Sequence, residues 1–289
     1  MSAISRVALI GLGEVGQILA QDLRTAGVTD IAAWDIRFAD PDSPPSRAAV
    51  ALGLRAAASG ADAARGAQLI VSAVTAASDV DAAGAATAGV EPGAFFLDLN
   101  SASPGEKSRS AALIEAAGGR YVEAAVMTPY PPRRIASYML LGGPHGTAFM
   151  EAAGGLGFAG KPFSDTVGQA SAAKMCRSVM IKGIEALVTE SMLTARHYGV
   201  EDTVLASLSD LLPIPSWPEL AEYMISRALE HGVRRAEEMR EAARTVAEAG
   251  VEPLMAAAAA QRQDWSATHK AALKAKGLGP MLDAMAAQT

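Results

Sequence analysis

The stretch RVALIGLGEVGQILAQDLRTAGVTDIAAWD, residues 6–35, decides the fold. Its first five residues are an apolar run that predicts a buried strand, and residues 14–26 have the apolar spacing of an amphipathic helix. Gly27 follows the last helical residue, and a glycine at this position commonly ends a helix. Residues 31–34 predict a second strand, and Asp35 follows it. This order of strand, glycine turn, helix and strand predicts one half of a dinucleotide-binding sheet.

The turn between the first strand and the helix has the pattern GxGxxG. Its residues are Gly11-Leu12-Gly13-Glu14-Val15-Gly16. Gly11 permits the tight turn, Gly13 lets the backbone approach a pyrophosphate, and Gly16 allows the helix to pack closely on the strand. The pyrophosphate then lies against the free N–H groups at the positive end of the helix. We therefore predict that these six residues contact a nicotinamide dinucleotide, because the pattern occurs in the strand–turn–helix context that it requires.

Asp35 predicts which dinucleotide is bound. A carboxylate at this point accepts a hydrogen bond from the 2′-hydroxyl of the adenosine ribose and repels a 2′-phosphate, which favours NAD. Arg37 lies two residues further on, and a nearby arginine can hold the 2′-phosphate of NADP. We interpret Arg37 as a solvated loop residue, so the sequence favours NAD and leaves NADP as the alternative.

The rest of the first half continues the alternation of strands and helices. Strands are predicted at 69–74, 94–99, 121–126 and 138–141, helices at 78–88 and 105–117, and a loop at 38–47. Later residues predict helices alone, at 168–198, 219–231, 234–249 and 253–262, with a break at 213–215. The predicted fold is α/β: a Rossmann-type doubly wound sheet over 1–164, the dinucleotide-binding domain, then an all-helical substrate or dimerisation domain over 165–289.

The composition argues against several classes of function. The formal net charge is -6, and the charges are spread along the chain, so no basic stripe predicts a nucleic-acid partner. The single cysteine, Cys176, and four scattered histidines predict no metal site. We find no apolar run near the ~20 residues that span a bilayer, and no signal segment. We expect a soluble, cytoplasmic protein that binds a small molecule and no membrane.

A second motif, GQASAAK at residues 168–174, resembles the glycine-rich entry to a catalytic helix. With the GLGxxG opening, it resembles the β-hydroxyacid dehydrogenase superfamily, which includes 6-phosphogluconate and 3-hydroxyisobutyrate dehydrogenases. The resemblance implies that Lys174 is catalytic: it takes the proton from a substrate hydroxyl as hydride leaves, and returns it in reduction. A lysine can do this where its surroundings disfavour the charged form. Apolar neighbours such as Met175 argue against a lysine that faces only solvent.

Polar residues also follow two of the predicted strands. The sequence DLNS, residues 98–101, is similar to the family's strand-end substrate motif, and doubly wound proteins bind ligands at such strand ends. The resemblance implies that Asn100 and Ser101 contact the substrate, although either could instead cap the next helix. Val74 and Thr75 end the preceding strand, and we expect them near the nicotinamide ribose.

Further polar residues lie on the predicted C-terminal helices. Ser178 stands where the family has a substrate-binding asparagine, one helical turn after Lys174, and could hydrogen-bond the substrate. Lys182 lies another turn on, and contacts a distal substrate group, a partner subunit or solvent. His231, with Arg235 one turn later, could face the cleft as a substrate contact, although a lone histidine near a helix end is more often structural.

The segment EAAVMTP, residues 123–129, departs most from the family. It aligns with a loop in which a serine and two glycines present N–H groups to a substrate carboxylate. Met127, Thr128 and Pro129 replace them, and proline has no N–H to donate. We predict that Met127 and Thr128 contact a partly apolar substrate, and not 6-phosphogluconate or a small unmodified hydroxyacid held in the standard way. The later lysine–aspartate motif is also missing, which is similar to the less studied 6-phosphogluconate-dehydrogenase-like branch with a different helical domain.

The preferred hypothesis is an NAD(P)-dependent dehydrogenase or reductase that transfers hydride between nicotinamide and a hydroxyl or carbonyl carbon of a small organic substrate. Two alternatives stay open. An imine reductase shares the architecture but usually lacks a lysine at the position of Lys174. An NAD(H)-sensing protein would keep the cofactor site and have lost the chemistry. The resemblance further implies a homodimer that buries the helical domain.

Overall fold

The computed structural model describes residues 4–211 and 216–287. The chain forms two compact units, Met1–Lys174 and Met175–Thr289. The first unit contains a sheet flanked by helices, and the second is helical throughout its described part. The break predicted at 213–215 lies outside the described residues.

Within the described part of the first unit, eight strands form one sheet. They are β1 Arg6–Ile10, β2 Asp30–Trp34, β3 Arg55–Ala56, β4 Leu69–Ser72, β5 Phe95–Asp98, β6 Arg120–Val126, β7 Tyr138–Gly142 and β8 Ala159–Ser164. The strand order is β3-β2-β1-β4-β5-β6-β7-β8, and neighbouring strands are parallel except β6 and β7. The order reverses between β1 and β4, so their carboxyl ends flank the point at which doubly wound sheets bind ligands.

Helices cover both faces of this sheet. They are α1 Glu14–Thr25, α2 Pro44–Ala51, α3 Gly60–Ala64, α4 Asp79–Ala86, α5 Pro104–Ala116, α6 Tyr130–Arg133 and α7 Gly146–Ala153. The two faces follow from the alternation along β1, where Val7 and Leu9 belong to one buried cluster and Ala8 and Ile10 to the other. A parallel strand covered on both sides is apolar at successive positions, as β1 is. The predicted doubly wound fold is confirmed.

The segment 38–47 is not the continuous loop that was predicted. A 3₁₀ helix spans Ile36–Ala39, and α2 begins at Pro44. The Ser43 hydroxyl caps α2, because it accepts a hydrogen bond from the Ser46 N–H at 3.3 Å. Proline is tolerated in a first helical turn, where its missing N–H would have no partner in the helix. Pro44 and Pro45 therefore begin a helix.

The second unit is built from long helices, the first of which begins in the sheet unit. Those described are α8 Gln169–Tyr198, α9 Glu201–Leu211, α10 Trp217–Glu248, α11 Leu254–Thr268 and α12 Leu278–Ala286. The prediction of two separate helices around Gly232 is wrong, because α10 runs through it. A Cβ at Gly232 would lie 2.5 Å from the Gln263 carbonyl oxygen, so this glycine permits close packing of α10 on α11. Across the described ranges, we find no helix long and apolar enough to cross a membrane.

Candidate functional site

The glycine turn between β1 and α1 leaves its backbone open at one position. Gly11 has a φ of +92°, and a Cβ there would lie 2.4 Å from the Ala73 carbonyl oxygen. A Cβ at Gly16 would lie 2.2 Å from the Gly11 carbonyl oxygen, so the helix packs on the turn with no space for a side chain. By contrast, a Cβ at Gly13 would meet no atom of residues 4–211 or 216–287 within 4 Å. The backbone at Gly13 is therefore accessible, which fits the approach of a pyrophosphate.

Helix α1 presents its first turn without a side-chain cap. Gly13 is the N-cap residue, and within the described residues no side-chain cap hydrogen bond is made to this helix end. The first N–H groups carry the positive end of the helix dipole, which favours an anion. Glu14 and Val15 follow at the start of the helix, exposed and half-buried respectively. Leu12 is fully buried, and its carbonyl accepts a hydrogen bond from the Gln17 amide at 3.0 Å, so it shapes the turn.

Asp35 follows β2 and is held against the glycine turn. Its Oδ2 accepts the Leu12 N–H at 2.9 Å, and its Oδ1 accepts the Arg37 N–H at 2.9 Å. The carboxylate is half-buried, whereas Arg37 is exposed. Each carboxylate oxygen has more than one acceptor site, so both retain capacity for a ribose hydroxyl.

Asn100 connects the carboxyl ends of β4 and β5. Its Oδ1 accepts the Val74 N–H at 2.7 Å. Its amide group donates to the Ser72 hydroxyl at 2.9 Å and to the Asp79 carboxylate at 2.6 Å. Asn100 is 4% exposed, so the side chain that the sequence assigned to the substrate has its donors engaged inside the domain. Helix α5 is capped by Ser103, and not by Asn100 or Ser101.

A buried ionic cluster, which we define as Asp79, Asp98, Lys107 and Tyr121, adjoins these strand ends. The Lys107 ammonium lies 2.6 Å from Asp98 and 3.7 Å from Asp79, and all three side chains are at most 1% exposed. The Tyr121 hydroxyl donates to Asp98 at 2.6 Å. Burial raises the pKa of Asp98 to about 7, although the charge of Lys107 opposes the shift. Two carboxylates share one ammonium, so the cluster has an excess negative charge when both are ionised.

Lys174 meets the carboxyl end of β5 within the first unit. Its Nζ donates to the Ser101 hydroxyl at 2.6 Å. Ser101 follows Asn100, whose amide oxygen holds Val74. Val74 in turn lies against Gly11, where a Cβ would come within 2.8 Å of the valine side chain. A continuous series of contacts therefore connects the glycine turn to Lys174.

The segment that replaces the family's carboxylate loop follows β6. Met127 is half-buried, and its N–H donates to the Tyr138 carbonyl at 2.9 Å. The Thr128 hydroxyl oxygen is buried, and the described chain gives it no hydrogen-bond partner. Buried polar atoms without partners are rare in native proteins, so each needs an explanation. The Thr128 hydroxyl is thus able to form a further hydrogen bond in this segment.

In the second unit, the predicted polar residues form ion pairs. Lys182 Nζ lies 2.9 Å from the Glu238 carboxylate, and its side chain is 12% exposed. It also donates to the Ser178 hydroxyl at 3.0 Å, so Lys182 is not a solvated helix residue. Arg235 pairs with Glu185, a carboxylate whose pKa is raised by burial.

Two further predicted contacts have local partners. His231 lies in the interior of α10, so its placement near a helix end is wrong. Its Nε2 is 3.2 Å from the Glu230 carboxylate, and its pKa is lowered by burial and then by the charge of Arg227. Thr75 is exposed, and its hydroxyl lies 3.2 Å from that of Ser78.

Sequence reasoning missed the buried charges of the first unit. The position of Asp98 could have predicted a buried ion pair, because an acid that ends an apolar strand is rarely buried without a partner. Lys107 gave no such signal, since its position on α5 follows no distinctive pattern. Glu123 belongs to the segment 123–129 that departs from the family, but its contacts could not be inferred from the sequence.

Comparisons with known proteins agree with this architecture. Residues 6–168 match the family model described as the NAD binding domain of 6-phosphogluconate dehydrogenase. Residues 195–266 match a domain of unknown function, DUF1932. No curated protein matches the chain.

Similar solved structures span almost the whole chain. A conserved hypothetical protein from Sinorhizobium meliloti 1021 is 34% identical, with 100% of this chain and 98% of that chain covered and a TM-score of 0.78. The 3-hydroxyisobutyrate dehydrogenase of Mycobacterium tuberculosis, solved with L-serine, is 18% identical, with 99% of each chain covered and a TM-score of 0.71. A reductive aminase from Aspergillus terreus, in complex with NADPH4, cyclohexanone and allyl amine, is 18% identical, with 97% of this chain and 99% of that chain covered and a TM-score of 0.54.

The doubly wound sheet and the open glycine turn define the class as dinucleotide-binding proteins of the Rossmann type. The family match covers more than half of the chain. The chain therefore belongs to the family of the NAD binding domain of 6-phosphogluconate dehydrogenase, here joined to a DUF1932 domain. The resemblance to the β-hydroxyacid dehydrogenases is confirmed.

Proposed function

We propose that this protein is an NAD(P)-dependent oxidoreductase in which Lys174 is the general acid and base. Hydride passes between nicotinamide and a hydroxyl or carbonyl carbon of a small, partly apolar organic substrate. The observation that carries the proposal is the 2.6 Å hydrogen bond from Lys174 Nζ to Ser101, at the end of the contacts that begin at the glycine turn. It places an amine beside the strand ends where doubly wound proteins bind ligands.

Each residue of the site has a separate role in the proposed reaction. When bound, the nicotinamide ring supplies or accepts the hydride. Lys174 gives its Nζ proton to the substrate oxygen during reduction and takes it back during oxidation. Ser101 orients the amine, because its oxygen accepts from Nζ, and its own O–H is available to a substrate oxygen. Asn100 maintains the spacing of the strand ends by holding Val74.

The coenzyme we propose is NAD. The carboxylate of Asp35 is fixed beside the turn by two backbone N–H groups, and its charge disfavours a 2′-phosphate. NADH should therefore give a larger thermal shift than NADPH at equal concentration. A larger shift with NADPH would indicate that Arg37 holds the 2′-phosphate of the adenosine ribose, and it would overturn the preference for NAD.

A substrate panel with a matched pair of variants tests the chemistry. Alcohols, hydroxyacids, ketones, aldehydes and imines are screened with both coenzymes by nicotinamide absorbance. On a substrate that reacts, Lys174→Ala should reduce kcat by roughly 10²–10⁴-fold, the usual contribution of a general acid or base. Lys161→Ala, at an exposed lysine of the same unit, should leave kcat unchanged. Full turnover by Lys174→Ala with intact coenzyme binding would refute the proposed role.

An imine reductase is the second candidate, and the Thr128 segment favours it. Pro129 removes an N–H that a carboxylate would need, and the Thr128 hydroxyl is available to a less charged group. Turnover of imines alone, at a rate that Lys174→Ala does not change, would establish this candidate. Tight NADH binding with no turnover across the panel would instead indicate a sensor. Ser178 and His231 stay predicted substrate contacts under either enzymatic hypothesis.

We further propose a homodimer formed through α8. Met180, Leu187 and Tyr198 are 63%, 57% and 72% exposed. Their spacing of seven and eleven residues places them on one helical face, and exposed apolar side chains that share a face are typical of an interface. Light scattering should give the mass of two chains for the native protein and of one for Leu187→Glu. Val50→Glu, at an 83% exposed position, is the control, and a monomeric native protein would contradict the proposal.

A further inference from the structure

Glu123 is a buried acid at the start of the helix that carries Lys174. It lies in β6 and is 0% exposed. Its Oε2 accepts the Gly168 N–H at 2.6 Å, and its Oε1 accepts the Ser171 N–H at 2.5 Å. Both oxygens of one carboxylate therefore bind the backbone that opens α8.

The surrounding glycines leave space for this carboxylate. Gly142 pairs with Glu123 across β6 and β7, and a Cβ there would lie 2.2 Å from Oε2. Gly168 has a φ of +96°, a conformation that glycine adopts without steric cost. The first N–H groups of a helix lack partners within it, and a negative charge beside them stabilises the helix dipole. The sheet thus supplies a charged cap to α8.

We propose that Glu123 is a positioning residue for Lys174, an inference that rests on the proposed acid–base role of that lysine. Ser171 and Lys174 are three residues apart, so they lie on neighbouring turns of one helical face. By holding Ser171, the carboxylate fixes the rotation and height of α8 at Lys174. It thereby sets the 2.6 Å contact between Nζ and Ser101. A shift of the helix by one residue, about 1.5 Å, would break that contact.

The test measures Lys174 in the full chain without substrate. Trace acetylation with acetic anhydride, read by peptide mass spectrometry, reports how strongly Nζ is held. Glu123→Gln keeps the shape of the side chain but replaces one acceptor oxygen with a donor that faces an N–H group. Acetylation of Lys174, relative to that of Lys161, should rise about tenfold, as expected for the loss of a charged hydrogen bond. Ser101→Ala should give the same rise by removing the acceptor.

Two other variants control for charge and for folding. Glu115→Gln changes an exposed glutamate of the same unit and should leave the acetylation of Lys174 unchanged. Glu123→Asp keeps the charge with a shorter reach, so it should give an intermediate rise, and it replaces Glu123→Gln if that variant does not fold.

The outcomes separate positioning from the proposed function. A folded Glu123→Gln protein with native acetylation of Lys174 would overturn the positioning role and leave Glu123 a structural cap. Full turnover by Lys174→Ala would overturn the acid–base role, whatever Glu123→Gln does to the amine. Where a substrate has been found, Glu123→Gln should lower kcat per folded molecule and leave KM nearly unchanged. The folded fraction is measured by circular dichroism, because loss of stability alone would lower that fraction and not the kcat of the molecules that stay folded.

Discussion

The variant Lys107→Met removes the ammonium of the buried ionic cluster and keeps an apolar side chain of similar length. In the native protein this ammonium lies 2.6 Å from Asp98 and 3.7 Å from Asp79. Both carboxylates are at most 1% exposed, so water cannot replace the lost cation. The Tyr121 hydroxyl still donates to Asp98, but it brings no charge.

The expected loss in the free energy of unfolding depends on pH. Breaking a buried ion pair costs about 3–5 kcal/mol, because the remaining charge stays buried without its partner. Burial raises the pKa of Asp98 to about 7. A carboxyl pKa that is raised in the folded state gives stability that is fully present below the ordinary value of 3.8 and is lost as the pH rises from there to about 7. Lys107→Met should therefore lose about 3–5 kcal/mol near pH 8.5, where both carboxylates lose their cation. The loss should be smaller near pH 6, below the raised pKa of Asp98, because only Asp79, whose pKa is lowered, is then left as an unpaired charge.

Urea unfolding followed by circular dichroism, at both pH values, measures this loss. Lys161→Met is the matched control, because Lys161 is exposed on β8; its effect should be within about 0.5 kcal/mol at either pH. An equal loss at the two pH values would show that Asp98 does not titrate between them. A loss no larger than that of the control would show that Lys107 is not the counter-ion of the cluster.

Three other substitutions test the glycine turn, the Asn100 contacts and the Arg235–Glu185 pair. Gly16→Ala places a Cβ 2.2 Å from a backbone carbonyl oxygen, so thermal unfolding should show that the free energy of unfolding falls by about 1–3 kcal/mol. Calorimetry should also show weaker NADH binding. Unchanged values would mean that the turn is not closely packed. Asn100→Ala leaves the Val74 N–H without its acceptor and should cost about 1–3 kcal/mol in urea unfolding, with weaker NADH binding as the functional sign. Arg235→Met removes the cation beside the buried Glu185 carboxylate and should lower the free energy of unfolding by about 3–5 kcal/mol. Adding Glu185→Gln should restore most of that free energy. No restoration in the double variant would contradict the pairing.

The dinucleotide-binding unit was predictable because its signals are local and agree with one another. An apolar run, three spaced glycines and an amphipathic helix occur in one segment, and each indicates the same structure. Strand β8 gave no such signal. Its sequence AGKPFS lacks alternation and contains Pro162, which an edge strand tolerates because one side of its backbone needs no partner. The predicted break at Gly232 was wrong for a related reason, because the need for glycine there comes from the contact of α10 with α11.

The side-chain partners in the site could be predicted only in part. The position of Lys174 followed from a motif, but its contact with Ser101 depends on where α8 meets β5. Asn100 was assigned to the substrate because it ends a strand, whereas the adjacency of β4 and β5 brings Val74 and Asp79 to it. Such contacts join residues distant in sequence, so no local pattern encodes them.

Hydride transfer at this site should depend on the Lys174 amine. Coenzyme deuterated at the transferring position of the nicotinamide ring, incubated with a carbonyl substrate found in the panel, gives the most direct measurement. Mass spectrometry of the product should show one deuterium on the former carbonyl carbon. The same product should be nearly absent with Lys174→Ala, although that variant still binds NADH. Equal deuterium transfer by the native protein and by Lys174→Ala would contradict the proposed role of this lysine.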